Sequence, residues 1–148
     1  MRGAAAALVG VLVLLATACG GGGSDARLSR EQFESQANAI CDKYQTQLNQ
    51  LKSPTSLEEI PDFVDHALAI LNKEVAEITA LNPPADLQTE FDAMIAASND
   101  TKAAADDLSQ AARDGDQAAV QKALDEGNAA SKRADQIATQ LGLDSCKG

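Results

Sequence analysis

The stretch SREQFESQANAICDKYQTQLNQL, residues 29–51, carries apolar side chains at steps of three and four. That spacing places them on one face of an α-helix. The face consists of Phe33, Ala37, Ile40, Tyr44, Leu48 and Leu51. Ser29 and Gln32, three residues later, form the sequence pattern of a capping box, which marks a helix start. The stretch therefore predicts an amphipathic first helix that begins just after Ser29.

A second helical period follows, and two signals bear on where it starts. Ser56 and Glu59 offer another capping box, but Pro61 lacks the N–H that a helix interior requires. We therefore expect a short turn over residues 56–60 and a regular helix from near Pro61. Its apolar face consists of Ile60, Phe63, Ala67, Ile70 or Leu71, Val75, Ile78 and Leu81.

Turn residues separate two further helices. Pro83 and Pro84 end the second helix, because the residue before a proline is pushed out of the helical region. Gly115 marks the next turn, Asp116 can cap the fourth helix, and Gly142 can end it with Leu143 packing back. The third helix has the inner face Leu87, Phe91, Met94 or Ile95, Ser98, Thr101, Ala105, Leu108 and Ala112. The fourth has Val120, Leu124, Gly127, Ser131, Ala134, Ile137 and Leu141.

Four helices joined by short loops are typical of an antiparallel up-down bundle. Residues 29–148 are therefore predicted to form one all-α domain of this kind. One core layer is expected to contain Phe33, Phe91, Ile137 and Leu141. The layer at the other end is expected to contain Phe63, Leu48 and Leu51. Such an alanine-rich core is narrow and a poor place for a large cofactor.

The first 18 residues have the parts of a secretory signal peptide. Arg2 supplies the positive charge, and residues 4–18 form an apolar run without a charge. This run has fifteen residues, whereas a membrane-spanning helix needs about 20. We therefore expect residues 1–18 to be a cleaved signal peptide and not a permanent membrane span.

The sequence LATAC, residues 15–19, resembles the lipobox of bacterial lipoproteins, although Ala16 stands where leucine is usual. The resemblance implies that Cys19 becomes the new N-terminus and carries acyl chains such as palmitate. More than one chain gives stable membrane anchoring. Residues 19–28 then form a Gly-rich, flexible tether. The protein is expected at the extracytoplasmic face of the cell membrane; the alternative is a secreted protein with an unmodified Cys19.

Cys41 and Cys146 remain as an even pair in an exported chain, which favours a structural disulfide. A redox-active pair is the alternative, although the two cysteines form no C-x-x-C motif. Cys41 lies about 18 Å along the first helix from Ser29. Five residues from Leu141 to Cys146 span at most roughly 16–18 Å. The tail must therefore double back along the first helix, or the fourth helix must end well inside the first helix's length.

Charge excludes several kinds of partner. The chain has 12 Lys and Arg against 22 Asp and Glu, and a net charge of −10. Removal of residues 1–18 takes away one arginine and no acid, which makes the charge more negative still. Nucleic acids and anionic bilayer surfaces repel such a protein. We therefore expect no nucleic-acid partner.

One acidic stripe could bind a cation in principle. Glu58, Asp62 and His66 share a helical stripe, with Asp65 beside it. Transition-metal sites usually combine several imidazoles or thiolates, and His66 is the only histidine. A solvated acidic surface is therefore the favoured interpretation. No G-x-S-x-G elbow and no C-x-x-C-H haem motif occurs, so we expect neither an enzyme nor a cofactor.

Several segments resemble small uncharacterised helical lipoproteins of high-GC Gram-positive bacteria. They are QANAICDKY (36–44), LNPPADLQTEFDAM (81–94), RDGD (113–116) and LGLDSC (141–146). The resemblance implies the bundle and the disulfide, and it implies no activity.

Two function classes stay open. The first and preferred one is a non-catalytic interaction module of the cell envelope, which offers acidic helix faces to an envelope protein or a basic polymer. The second is a solute- or cation-binding lipoprotein that serves a transporter. A buried polar pocket would favour the second class, and the predicted inner faces contain only Ser98, Thr101 and Ser131 as polar members.

Overall fold

The computed structural model describes residues 26–148, which form four α-helices that pack together and contain no β-strand. The helices are α1 (Arg30–Leu48), α2 (Ile60–Thr79), α3 (Gln88–Asp114) and α4 (Gln117–Leu141). Single turns of 3₁₀-helix lie at Leu57–Glu59, Ala85–Leu87 and Asp144–Cys146. The all-α, four-helix prediction is confirmed at this level. The predicted signal peptide, Cys19 and the first part of the tether lie outside the described residues.

The helix ends follow local sequence signals. Ser29 Oγ accepts a hydrogen bond from the Gln32 backbone N–H, and the Ser29 N–H donates to Gln32 Oε1, which completes the predicted capping box. Asp116 Oδ1 accepts the N–H groups at the start of α4, at 3.0 Å each. At the far end of α4, Gly142 has a φ of 74°, which a left-handed helix cap requires. These three predictions are confirmed.

The start of α2 differs in one respect from its prediction. The turn at Leu57–Glu59 and the position of Pro61 in the first turn of the helix are as expected. The capping box between Ser56 and Glu59 is not formed. The Glu59 carboxylate instead accepts two hydrogen bonds from Thr55, at 2.7 Å from its N–H and 2.9 Å from its Oγ1. The Thr55 contacts fix the loop before the turn and hold the pKa of Glu59 below its usual value.

The main core joins the start of α1, the start of α3 and the end of α4. The rings of Phe33 and Phe91 meet edge to face with their centroids 5.7 Å apart. Leu141 and Leu143 are fully buried beside them, and Ile137 packs against the same cluster. The predicted layer at this end is therefore confirmed, and Leu143 packs back from the Gly142 cap as expected.

The second predicted layer is only partly formed. Phe63 is half-buried and shares a shallow surface cleft with Leu51, while Leu48 lines a different cleft. The buried apolar residue in this turn of α2 is Val64. The small cluster at this end is formed by Ala111, Ala112 and Val120.

The inner faces of α3 and α4 agree with the prediction at the ends of the helices, where Phe91, Met94 and Leu141 are buried, and depart from it in the middle. Leu124 was expected inside and is 41% exposed, and Ala105 and Leu108 are only half-buried. A Cβ on Gly127 would lie 3.5 Å from the Cβ of Ala104, so the two helices approach closely at small residues. Small side chains allow this close approach, which leaves Leu124 exposed, whereas Leu108 packs against the cluster formed by Ala111, Ala112 and Val120. The buried members are Phe91, Met94, Ala97, Ala104, Ser109, Ala111 and Ala112 in α3 and Val120, Ala123, Ala130, Ala138 and Leu141 in α4.

The disulfide between Cys41 and Cys146 is present and joins Cα atoms 4.9 Å apart. Asn38 Nδ2 donates to the Gly142 carbonyl at 3.1 Å, and the Ser145 N–H donates to Asn38 Oδ1 at 2.9 Å. The fourth helix thus ends beside Asn38, inside the length of α1, and the tail then runs along α1 to Cys41. The structure therefore combines the two arrangements that the sequence allowed, because α4 ends inside the length of α1 and the tail also doubles back along α1.

None of the helices within residues 26–148 is long and apolar enough to cross a membrane.

Candidate functional site

A cleft of about 160 Å³ lies between the four helices, beside the disulfide. The backbone of α1 lies close to α2 and to the terminal 3₁₀ turn and approaches α3 and α4 less closely, although the Phe33 and Phe91 side chains meet at one end. A cavity of about 150 Å³ is large enough for a benzene molecule. The cleft therefore has room for a single ring or a short chain. Its apolar lining includes Leu48, Leu71, Val75, Ile78, Met94 and Ile95.

The three polar residues predicted on the inner faces, Ser98, Thr101 and Ser131, all line this cleft. The Ser98 hydroxyl donates to the Met94 carbonyl at 3.0 Å, and the Thr101 hydroxyl donates to the Ala97 carbonyl at 3.1 Å. Their protons are therefore used within α3, and their oxygens can still accept hydrogen bonds. The sequence identified these residues correctly, but the helix pattern alone did not predict a pocket.

Glu74 is the residue that the sequence prediction missed. Its side chain is half-buried in the cleft wall, and no hydrogen bond or ion pair to it is found within residues 26–148. Burial without a partner disfavours the charged form and raises the pKa of Glu74 to about 7. A signal was present in the sequence, because Glu74 lies three residues after Leu71 and four before Ile78, on the apolar stripe itself.

Other charged groups at the cleft have partners. Lys102 Nζ donates to Asn72 Oδ1 at 2.9 Å, and Asp135 Oδ1 accepts the Gly148 N–H at 3.2 Å.

A hydrogen-bond network outside the cleft holds α1 against α2. Tyr44 Oη donates to Glu77 Oε1 at 2.6 Å, and Lys43 Nζ donates to the same carboxylate. This network keeps the pKa of Glu77 below its usual value. It orients α1 against α2 without occupying the cleft.

The acidic stripe that was considered as a cation site does not bring its side chains together around one point. His66 Nδ1 lies 2.6 Å from the Asp62 carbonyl oxygen, and Asp65 forms an exposed ion pair with Arg113 at 3.5 Å. Glu58 lies in the 3₁₀ turn, where hydrogen bonds from its own backbone and from Ser56 lower its pKa. No group of three or more His, Cys, Asp or Glu side chains that could hold a metal ion occurs in the part of the chain that the structure describes.

Replacing Glu74 with glutamine should change how stability depends on pH. The folded-state pKa of Glu74 is about 7, against an ordinary value of 4.5. Ionisation of Glu74 therefore lowers the free energy of unfolding increasingly as the pH rises from 4.5 to 7, and the loss is constant at higher pH. We expect the melting temperature of Glu74→Gln to exceed that of the wild type at pH 8. The difference should shrink at pH 5, where Glu74 is mostly protonated.

The measurement is a set of thermal melts of both proteins between pH 4.5 and 8.5. Asp62→Asn removes an exposed carboxylate from the same helix and serves as the control. A Glu74→Gln difference that is the same at pH 5 and pH 8 would contradict the assigned burial of Glu74.

The described residues thus offer an apolar cleft with one half-buried carboxylate that has no partner among them, and a disulfide at its edge. These features define the candidate site by geometry. Comparisons with protein-family models, with curated proteins and with solved structures gave no match.

Proposed function

We propose that this protein is a lipoprotein, anchored through Cys19 at the extracytoplasmic face of the cell membrane, whose helical domain binds a small and mostly apolar solute. The observation that carries the proposal is the cleft of about 160 Å³ between the four helices. Ligand sites are typically concave and apolar with a few polar groups that fix orientation. Of the two classes that the sequence left open, this cleft favours the solute-binding one, with delivery to a transporter as its role.

The helix arrangement proposed here is the antiparallel up-down bundle. Asn72 of α2 contacts Lys102 of α3, and the earlier residue Asp65 contacts the later residue Arg113. The two helices therefore run in opposite directions. Gly127 near Ala104 and Arg133 near Asp100 indicate the same for α3 and α4. These pairings support an antiparallel order, in which the cleft lies along the length of the bundle.

The tether's end supports an orientation relative to the membrane. Arg27 Nη1 donates to the Pro83 carbonyl at 2.8 Å, and the Leu28 N–H donates to the Asn82 carbonyl at 2.8 Å. The chain therefore enters the domain at the connection between α2 and α3. With lipid on Cys19, this end of the domain is the one that the tether holds near the membrane, and the turn at Gly115 lies at the opposite end.

A binding role is preferred to a catalytic one because of the chemistry at the cleft. The hydroxyls of Ser98 and Thr101 donate to carbonyls of their own helix, so neither is paired with a base. Nucleophilic catalysis requires a nucleophile and a base within hydrogen-bonding distance. The groups that line the cleft suit recognition of a solute, and we propose no reaction.

Binding of a neutral probe tests the solute-binding proposal. We expect benzyl alcohol, titrated into the Cys19→Ser chain and followed by NMR, to shift the resonances of residues that line the cleft. Ala134→Leu places a larger side chain in the cleft and should abolish these shifts. Ala129→Leu makes the same change at an exposed position of α4 and should preserve them. The absence of any shift in the parent chain would overturn the proposal.

Loss of Cys19 should release the protein from the membrane, because multiple acyl chains provide the anchor. We expect the Cys19→Ala protein to leave the membrane fraction, and Thr17→Ser, which keeps a small residue in the lipobox, to remain there. Cell fractionation and mass spectrometry of the N-terminal peptide measure both results. Equal membrane association of Cys19→Ala and the native protein would contradict the lipoprotein proposal.

The interaction module is the second candidate, and one surface favours it. A shallow cleft of about 310 Å³ between α3 and α4 is lined by Asp107, Asp114, Asp116 and Glu126, with Lys122 as its only cation. This surface lies toward the Gly115 turn, at the end of the domain opposite the point where the tether enters. It would suit a basic envelope protein or polymer. If the neutral probe does not bind the helical cleft, this module becomes the preferred function.

A further inference from the structure

We propose that the ligand of the cleft is a small organic cation with an apolar body, whose ammonium group pairs with the Glu74 carboxylate. This inference rests on the proposed solute-binding function and specifies its ligand class.

The charges that face the cleft favour a cation. The second helix contributes Glu74, α3 contributes Lys102 and α4 contributes Asp135, whereas the lining residues of α1 carry no charge. Lys102 is hydrogen-bonded to Asn72, and Asp135 accepts a backbone N–H. Glu74 is therefore the ionisable group of the cleft that has no partner within residues 26–148. With Glu74 ionised, the cleft carries two carboxylates against one ammonium group, so its net charge is negative and favours a cation over an anion.

The hydrogen-bonding groups point to the same ligand chemistry. Because Ser98 and Thr101 donate their hydroxyl protons to carbonyls of α3, these two side chains present acceptor oxygens to the cleft. The Glu74 carboxylate is also an acceptor. An ammonium group has three hydrogen-bond donors and no acceptor, so it can donate to the acceptor oxygens of this wall.

Burial gives the pairing an energetic reason. A half-buried carboxylate without a partner is disfavoured in its charged form, which is why the pKa of Glu74 is raised. A cation within about 4–6 Å favours the charged form and offsets this penalty. The apolar lining from Leu71, Val75 and Met94 can cover the rest of the ligand. At about 160 Å³, the cleft holds one ring, which sets the size of the apolar body.

Three probes of nearly the same shape test the inference: benzylamine, benzyl alcohol and benzoate. Each is titrated by NMR into the Cys19→Ser chain at pH 8, where Glu74 is mostly ionised. We expect benzylamine to bind about tenfold more tightly than benzyl alcohol, since hydrogen bonds to charged groups contribute more than neutral ones. Benzoate should bind most weakly. At pH 5.5 the preference for benzylamine should decrease, because Glu74 becomes protonated.

Two variants assign the preference to Glu74. Glu74→Gln should bind benzylamine no more tightly than benzyl alcohol, and its circular dichroism spectrum shows whether the variant is folded. Asp62→Asn removes an exposed carboxylate of α2 outside this cleft and should retain the preference. If Glu74→Gln fails to fold, the pH dependence of the parent chain decides the question.

The outcomes separate this inference from the proposed function. Binding of benzyl alcohol with no preference for benzylamine, or tighter binding of benzoate, overturns the cation inference and leaves solute binding intact. A preference for benzylamine that persists in Glu74→Gln, or that is independent of pH, also overturns it. If none of the three probes binds the cleft, both the inference and the proposed function fail.

Discussion

Replacing both Cys41 and Cys146 with alanine should lower the free energy of unfolding by about 4–5 kcal/mol. The disulfide joins residues that are 105 positions apart, so in the unfolded chain it closes a loop that contains nearly the whole domain. On the chain-entropy account, a loop of this length contributes roughly that amount. A domain of ordinary stability, about 5–15 kcal/mol, would then be close to unfolding.

Urea denaturation followed by circular dichroism measures the change. Cys19→Ala is the matched control, since it removes a cysteine outside the disulfide and should leave the midpoint unchanged. Treatment of the parent chain with a reductant should give a midpoint close to that of the double variant. A loss below about 1 kcal/mol would contradict the role of the disulfide as the main clamp of the fold.

The disulfide also connects stability to the candidate site. Gly142 and Ser145 are hydrogen-bonded to Asn38, one turn before Cys41 in α1. The two cysteines form part of the cleft wall. Without the covalent link, this wall depends on the hydrogen bonds of Asn38 and on the packing of Leu143. We therefore expect the double cysteine variant to lose affinity for benzyl alcohol in parallel with its stability.

Helix boundaries could be predicted because their causes are local. The capping box at Ser29, the cap at Asp116 and the left-handed Gly142 each involve residues within a few positions of one another. The position of the tail could also be predicted, since the reach of five residues limits where Cys146 can lie. Such constraints do not depend on how the helices pack together.

The middle parts of the inner faces of α3 and α4 could not be assigned correctly for the opposite reason. Alanine occurs on several faces of both helices, so the apolar pattern has little contrast and does not fix the rotation of the helix. Packing at Ala104 and Gly127 decides it, and that contact depends on tertiary structure. The cleft was missed for a related reason, because the apolar pattern of each helix does not show how closely the helices approach one another.

Two leucines of α4 provide a direct test of this rotation. The sequence pattern placed both Leu124 and Leu141 on the inner face, whereas the structure leaves Leu124 41% exposed and buries Leu141 completely. Leu141→Ala should lower the free energy of unfolding by about 2–5 kcal/mol, because it opens a cavity beside Phe33, Phe91 and Leu143. Leu124→Ala should change it by about 0.5 kcal/mol or less.

The two variants remove the same atoms from the same helix. Leu124 lies in the interior of α4 and Leu141 is its last residue, so helix propensity favours Leu124→Ala slightly more, by an amount that is small beside the expected loss at Leu141. Their difference therefore measures mainly burial. Urea midpoints at one pH, with the disulfide intact, are sufficient to compare them. Similar losses for the two variants would mean that Leu124 also packs in the core, and that α4 has the rotation predicted by its sequence pattern. A large loss confined to Leu141→Ala would instead locate the core at the end of α4, where Leu143 and the terminal turn hold the helix against α1.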